Sequence, residues 1–502
     1  MIAVYIGYDI NNGIKYAKLC VSKRVDGKVK TFQKNLGRVI DEEKKIYKSR
    51  ERGIFTYDLE TDTYSVPDKD EECVKNAMPQ TEEKLILDFG DSYFLSNFIK
   101  ESGIDKAIEA MGYSNNDSLY AIIMFYILCS MANCHAEEWY EGNYCRCLFP
   151  DADLRSQRIS DMLEQIGTEN CYRKFFEEYL KMFAKSKDGE NILIDSTGLP
   201  NSIHFPLTAI SNHNGKISNE VRLIYVLQQG TNIPLFFRYC PGNVIDVSTL
   251  TKTILELKAH NVDTNFATLD AGYLTEENVR ELFDAKISFL SRLRENTSLY
   301  KRVVEEHLST LESKENIISF NGRYIYLKKI KENYWGHNVY VYLGRDLNMQ
   351  SVESSKLYES ADKKKLTPAQ VHNARQSQGI FVLVSSRSIE VNDVMQKYYM
   401  RTNIEQMFDI CKNYTNMLPL RVQKEETFRG HLMLSFISSV IVKLIQSKLS
   451  NSKYTPQSAF LNLRNHKCKV FDDYVLTMES AKRANDIYKF FGIMPPHLLM
   501  RN

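Results

Sequence analysis

NILID, residues 191–195, is a short apolar run closed by an acid. That composition suits a buried strand that delivers a carboxylate to the edge of a sheet. Working outward, the chain alternates between strand and helix signals. Val221–Gln229 and Pro234–Cys240 read as the next two strands, separated by Gly230, Thr231 and Asn232. Asp246 is placed to cap a helix over Val247–Asn261. Phe266–Leu269 is a fourth strand, again ending in an acid, Asp270, and a helix over Glu276–Ala285 and a strand at Ile287–Leu290 follow. Residues 300–378 then intervene, with Tyr324–Ile330 and Val339–Leu343 alternating like strands before a lysine-rich polar stretch around Lys363–Lys365. The first pattern resumes with a strand over Gly379–Ser385 and a long helix starting near Glu390.

Three strands, a helix, a strand and a helix form the layout of an α/β ribonuclease-H-like core, here interrupted by a β-rich insertion. The expected organisation places core residues at 191–299 and 379–450, around the insertion at 300–378. Ahead of the core, residues 1–90 read as a β-rich segment. In it Tyr16–Ser22 and Val29–Leu36 flank the hairpin turn Asp26-Gly27, and Asp41–Gln80 form a charged linker. Residues 91–190 are helical in pattern, with Leu119–Ala132, Ile159–Ile166 and Cys171–Phe183 as the clearest segments. A helix over Glu426–Leu449, apolar on most faces, is expected to be buried, and residues 451–502 form a tail of mixed character.

A chain of 502 residues exceeds one ordinary core, so several domains are expected. Its formal charge of +2 neither favours nor excludes a nucleic-acid partner, because clustering of Lys and Arg matters more than their sum. The start lacks a secretory layout, and the longest apolar run, Leu119–Ala132, is short for a membrane span. With ten cysteines, this points to reduced thiols and a cytoplasmic protein. Cys134, His135, Cys145 and Cys147 lie close in sequence, but no CxxC pair occurs, and ordinary thiols are the simpler reading than zinc.

Asp195 and Asp270 each follow an apolar strand, and acids at neighbouring strand ends converge at a sheet edge. Two such carboxylates repel unless a cation lies between them, and hard divalent cations suit carboxylate oxygens. Taken singly, each Asp is equally well a loop or helix cap. A third acid adds weight. Tyr398, Arg401, Glu405 and Lys412 fall within a sector of roughly 60° on the long helix, at about 100° per residue. Met400, Ile404, Met407, Phe408 and Cys411 occupy an adjacent, core-facing sector. A solvated face with an Arg–Glu pair accounts for the charges but not for this company.

Tyr, two residues, Arg, three residues, Glu, six residues and Lys is the spacing of the signature helix in the insertion-sequence-four superfamily of bacterial transposases, which this chain resembles. Asp270-Ala271-Gly272-Tyr273 is similar to that group's D-x-G-aromatic segment, and Asp195-Ser196-Thr197 to its D-x-T. A β-strand insertion before the Glu is a further likeness. The resemblance covers about residues 190–450. Thr402 departs from it, standing where many relatives carry Trp.

The resemblance implies a DDE transposase in which Asp195, Asp270 and Glu405 are catalytic and hold two Mg²⁺ ions about 4 Å apart, with Mn²⁺ able to substitute. It implies cleavage at the element ends and transfer of the freed 3′-hydroxyl. Tyr398, Arg401 and Lys412 would hold DNA phosphates. The implied partners are double-stranded DNA, as terminal inverted repeats and as target, and a second copy of the chain on the DNA ends; no membrane is implied, and the expected location is the cytoplasm, in association with the nucleoid. Sequence reading is expected in the helical region, with Arg155 and Arg158 as DNA ligands in a helix-turn-helix arrangement. His204 and His213 are treated as surface or loop residues. Two other readings stay open: a transposase-derived DNA-binding protein without catalysis, and a nuclease of the same fold without strand transfer.

Overall fold

A computed structural model describes residues 2–11, 13–25, 28–49, 52–67, 73, 85–183, 191–201, 205–213, 216–243, 247–260, 262, 264–364, 366–420 and 422–501. Contacts divide the chain into two units. One comprises Met1–Leu85, Lys469–Val475 and Met500–Asn502; the other comprises Ile86–Cys468 and Leu476–Leu499.

In the first unit six strands pair in chain order: β1 (Ile2–Asn11), β2 (Ile14–Val25), β3 (Lys28–Asp41), β4 (Ile46–Ser49), β5 (Gly53–Asp58) and β6 (Thr63–Ser65). Ala17, Leu36, Tyr47, Phe55 and Tyr57 form its buried centre, and Ile6, Tyr8 and Leu19 pack around them. The sequence foresees the β2–β3 pair, whose turn residues Asp26 and Gly27 lie outside the described residues. At Gly37 the backbone takes a φ of +117°, and a Cβ there would lie 2.2 Å from the Lys48 carbonyl, so β3 and β4 approach at a point that only glycine allows.

The second unit is a mixed α/β structure. After β7 (Leu85–Asp88), helices dominate up to residue 183. Helix Asn116–Leu128 starts where the Asn115 side chain accepts the Ser118 N–H at 2.8 Å, and it ends before the expected Ala132 because Cys129 turns extended. Helices Ser156–Ile166 and Glu169–Phe183 match the two segments read farther on, with earlier starts.

The central sheet runs β11-β10-β8-β12-β13-β17-β16-β15-β14, with β9 on β10. Its strands are β8 (Asn191–Pro200), β9 (Ala209–His213), β10 (Lys216–Gln228), β11 (Pro234–Pro241), β12 (Phe266–Leu269), β13 (Ser288–Arg292), β14 (Ile317–Phe320), β15 (Arg323–Tyr334), β16 (His337–Asp346) and β17 (Ile380–Ser385). Strands β8, β12 and β13 are parallel to one another, and β10 pairs antiparallel with both β8 and β11. Helices Val247–Ala259 and Glu276–Asp284 bury Leu250, Ile254, Leu257, Val279 and Leu282 in the main core. The cap read at Asp246 and the histidine at position 204 lie outside the described residues, and of His213 only the backbone is described.

Four sequence expectations change. Asp41–Gln80 is not only a charged linker: β4, β5 and β6 lie in it and bury Tyr47, Phe55 and Tyr57, because each pairs antiparallel with the strand before it. Strand β8 does not end at Asp195; it runs on to Pro200 because β10 continues to pair with it there. The insertion is not a separate body: β16 pairs with β17, so β14, β15 and β16 extend the same sheet. Its lysine-rich stretch includes the end of helix Leu347–Lys364, while Lys365 is outside the described residues. The single long helix after Glu390 is three pieces: α-helix Val391–Tyr399, α-helix Thr402–Asp409 and a π-helical turn Ile410–Tyr414.

Helix Glu425–Lys448 is the buried helix expected from sequence. It is long and apolar enough to cross a membrane, yet 78% of its apolar window is buried inside the protein. Its backbone touches that of helix Ser156–Ile166: a Cβ on Gly430 would lie 1.9 Å from the Leu163 carbonyl oxygen, and one on Gly167 would lie 1.8 Å from that of Glu426. Helices Pro456–Arg464 and Lys482–Phe491 follow in the segment read as a mixed tail.

Candidate active site

Register brings the first two acids together. Strands β8 and β12 are parallel with Ile194 opposite Leu269, so Asp195 and Asp270 are the next residues at one level of the carboxyl edge. Adjacent strands lie about 4.8 Å apart. The Asp195 side chain is buried and accepts the backbone N–H of Ser196 at 2.8 Å. Asp270 is partly exposed and caps the short 3-10 turn Ala271–Tyr273, accepting the Gly272 N–H at 3.5 Å.

Arg401 joins the third acid to this pair. Its guanidinium bonds Asp270 with one nitrogen and donates to Glu405 at 2.9 Å with the other. Burial works against its charge, but Asp195 and Asp270 hold its pKa above the ordinary arginine value. Asp195 is pushed up to about 7, first by burial; Arg401 opposes that rise, while Asp270 and Glu405 add to it. All three acids therefore share one electrostatic environment, with a cation already inside it. They are not a tight cluster: among the described residues only Glu306, His307 and Glu332 bring three potential ligand atoms within 4.8 Å of one another. In that group Glu332 is already bonded to Arg302 at 2.7 Å.

The rest of the polar stripe divides. Tyr398 is half-buried, and burial raises its pKa, with Arg401 and Arg292 pulling it down. Lys412 lies in the π-helical turn rather than on the α-helix that carries Glu405. Its ammonium donates to the Thr197 hydroxyl at 2.6 Å and the Gly198 carbonyl at 2.8 Å, pinning the strand just past Asp195. Burial lowers its pKa, and the nearby Glu220 opposes this. Gly198 leaves room for the Glu220 carboxylate, which a Cβ there would approach to 2.1 Å and force to shift.

The two arginines read from the helical region lie elsewhere in the chain's second unit and are engaged. Arg155 pairs with Asp153, and Arg158 bonds Asp161 at 3.3 Å. As DNA ligands they would first have to release these acids. Cys134 is exposed, Cys145 is buried and His135 bonds Glu138 at 2.9 Å; with Cys147, they form no ligand group among the described residues.

Sequence reading passed over two residues beside Asp270. Arg292 ends β13 and acts on Tyr398, and the Arg294 guanidinium would lie 3.4 Å from a Cβ on Gly272. Ser291-Arg292-Leu293-Arg294 carries the signal: Leu293 is buried and both arginines are exposed, as alternation at a strand end dictates. Among the described residues neither arginine forms an ion pair.

Comparison with known proteins gives one family. The model of a family described as "Transposase DDE domain" matches residues 187–441. No curated protein matches the chain. Two solved structures resemble it distantly. One is a piggyBac transposase synaptic complex with hairpin DNA, 12% identical over 70% of this chain and 70% of that chain, with a TM-score of 0.39. The other is the Drosophila P element transposase strand transfer complex, 10% identical over 69% and 83%, with a TM-score of 0.23.

Proposed function

Because the chain belongs to the transposase DDE domain family, whose match spans half its length, we propose that Asp195, Asp270 and Glu405 are the catalytic acids of a DNA transposase. Supporting this reading above all is the register that sets Asp195 beside Asp270 and the guanidinium that ties Glu405 to the pair. The strand order β11-β10-β8-β12-β13, with its last three strands parallel, supports a ribonuclease-H-like description of the core.

Members of this family use divalent metal, and the donor set fits one. The Arg401 guanidinium bonds Asp270 and Glu405 and acts on Asp195, so one cation already lies in the field of all three carboxylates. These residues would hold Mg²⁺, two ions in the fullest reading, with Mn²⁺ as a substitute. Bound metal supplies an activated water and charge stabilisation for in-line phosphoryl displacement.

The chain's own residues then have separate tasks. Buried Asp195 fixes one side of the site. Arg401, once turned from the acids, presents a planar two-pronged donor to a backbone phosphate, and Tyr398 offers a hydroxyl beside it. Lys412 keeps the Thr197–Gly198 segment in place, so the carboxylate of Asp195 is aimed rather than mobile. The proposed partners are duplex DNA carrying the element ends, target DNA and a second copy of the chain.

Joining of DNA, not only cutting, tests this function. With Mg²⁺ and a duplex bearing a pre-cut 3′-hydroxyl element end, the protein is expected to produce covalently joined strands. Nicked DNA without joined product would instead assign a nuclease, and no change in the DNA would assign a binding protein without chemistry.

A further inference from the structure

The residues read as DNA ligands in the helical region pair with neighbouring acids, whereas in the first unit Lys23 and Lys30 form no ion pair among the described residues. Residues 14–38 carry eight Lys and Arg against one acid, Asp26. Register puts Lys23 directly opposite Lys30, Val21 opposite Phe32, and Leu19 opposite Lys34; on the other side of β2, Val4 faces Val21. Alternation along the strands gives these side chains one face. Lys23, Lys30 and Lys34 are exposed on it, and so are Phe32 at 67% and Val4 at 45%.

Two features of this face ask for an anion. Like charges directly opposite across an antiparallel pair are destabilising, and among the described residues no carboxylate pairs with Lys23 or Lys30. Lysines toward the other end of the same strands do have acids: Lys15 pairs with Glu42 and Lys18 with Asp9. The row Val4–Val21–Phe32 lies between the basic positions, so the face is amphipathic rather than merely solvated. At about 3.4 Å per residue the 12 residues of β2 extend roughly 40 Å, longer than a full turn of duplex.

We infer that this face of β1–β3 is a binding surface for duplex DNA, with Lys23 and Lys30 gripping the backbone together and Phe32 lying against the groove wall. The inference rests on the transposase reading, which supplies DNA as the polyanion. Phosphate contacts of this kind position a duplex without reading its sequence. The lysine pair is thereby relieved of its repulsion when DNA is bound, and binding rather than folding accounts for its presence.

The test uses the full chain and its Lys23→Gln/Lys30→Gln variant, titrated with a fluorescent duplex of mixed sequence at several salt concentrations. Loss of two phosphate contacts is expected to reduce the slope of log affinity against log salt by about 1.8 units. The thermal midpoint is expected to hold or rise, since a repulsive pair has been removed. Unchanged slope in a variant of a wild type that binds DNA would overturn the surface alone. Failure of the wild type to bind any duplex would overturn the transposase reading and the surface with it. Unchanged DNA binding together with lost binding to phosphatidylserine vesicles would assign the face to anionic lipid and overturn the inference.

Discussion

Arg401 stands among the acids proposed to hold metal. It bonds Asp270 and Glu405 and lies in the field of Asp195, so a metal bound by these acids would compete with the guanidinium for the same oxygens. Arg401→Ala is therefore expected to bind Mn²⁺ more tightly than wild type without DNA, by roughly tenfold or more, since charged hydrogen bonds are worth about 1.5–3 kcal/mol. It should also bind DNA more weakly. Calorimetric titration with Mn²⁺ reads the first effect, and unchanged or weaker metal binding would mean the guanidinium does not hold the cation's place. Asp195 gives a pH signature. In the metal-free protein its carboxyl keeps its proton to about pH 7, well above the ordinary aspartate value of 3.8. A pKa raised by folding means stability is full below the unfolded value and falls as pH rises through the folded one. Asp195→Asn removes that loss. Its stabilisation should be absent below about pH 4 and grow by about 1.4 kcal/mol per pH unit, levelling off above pH 7. Denaturant melts at pH 4, 6 and 8 with chelator present check this, and a gain independent of pH would contradict it.

Elements divide by how locally they are determined. Strands β8, β10, β11, β12 and β17 were legible because apolar runs bounded by Gly, Asn and Asp leave few alternatives. The break at Met400-Arg401 and the π-helical turn at Ile410–Tyr414 were not, since the apolar periodicity of Ile404, Met407, Phe408 and Cys411 runs on as if the helix were whole. What distinguishes the pieces is distant in sequence: Arg401 reaches Asp270, 131 residues away, and Lys412 reaches Thr197, 215 residues away. The insertion's place in the main sheet was hidden for the same reason, because it depends on β16 meeting β17 and not on any local pattern. Helix contact supplies a further prediction. Gly430 lies where helix Glu425–Lys448 crosses the Leu163 backbone, so Gly430→Ala is expected to destabilise the second unit by about 1–3 kcal/mol or more. Chemical denaturation measures it, and an unchanged midpoint would show that the helices separate without cost.

Across the whole molecule, the acids proposed to carry the chemistry come from positions 195, 270 and 405, and the family match at residues 187–441 contains all of them. The sequence made these acids visible as strand ends and as part of a helical stripe; it could not show that Arg401 bridges two of them or that Arg292 and Arg294 flank the site. In the first unit the β2–β3 pair was legible, but β4, β5 and β6 lie in the stretch read as a charged linker, and the basic face required the register of β2 on β3. If the acids perform the chemistry and basic residues supply affinity, catalysis and DNA binding should separate cleanly on substitution. Mg²⁺-dependent cleavage of duplex carrying the element ends, compared between wild type and Glu405→Ala, is the most direct measurement. Wild type is expected to cut at the end, and Glu405→Ala to bind the same DNA without detectable cutting. Cleavage by Glu405→Ala at a rate near wild type would contradict the assignment of this acid and of the site built around it.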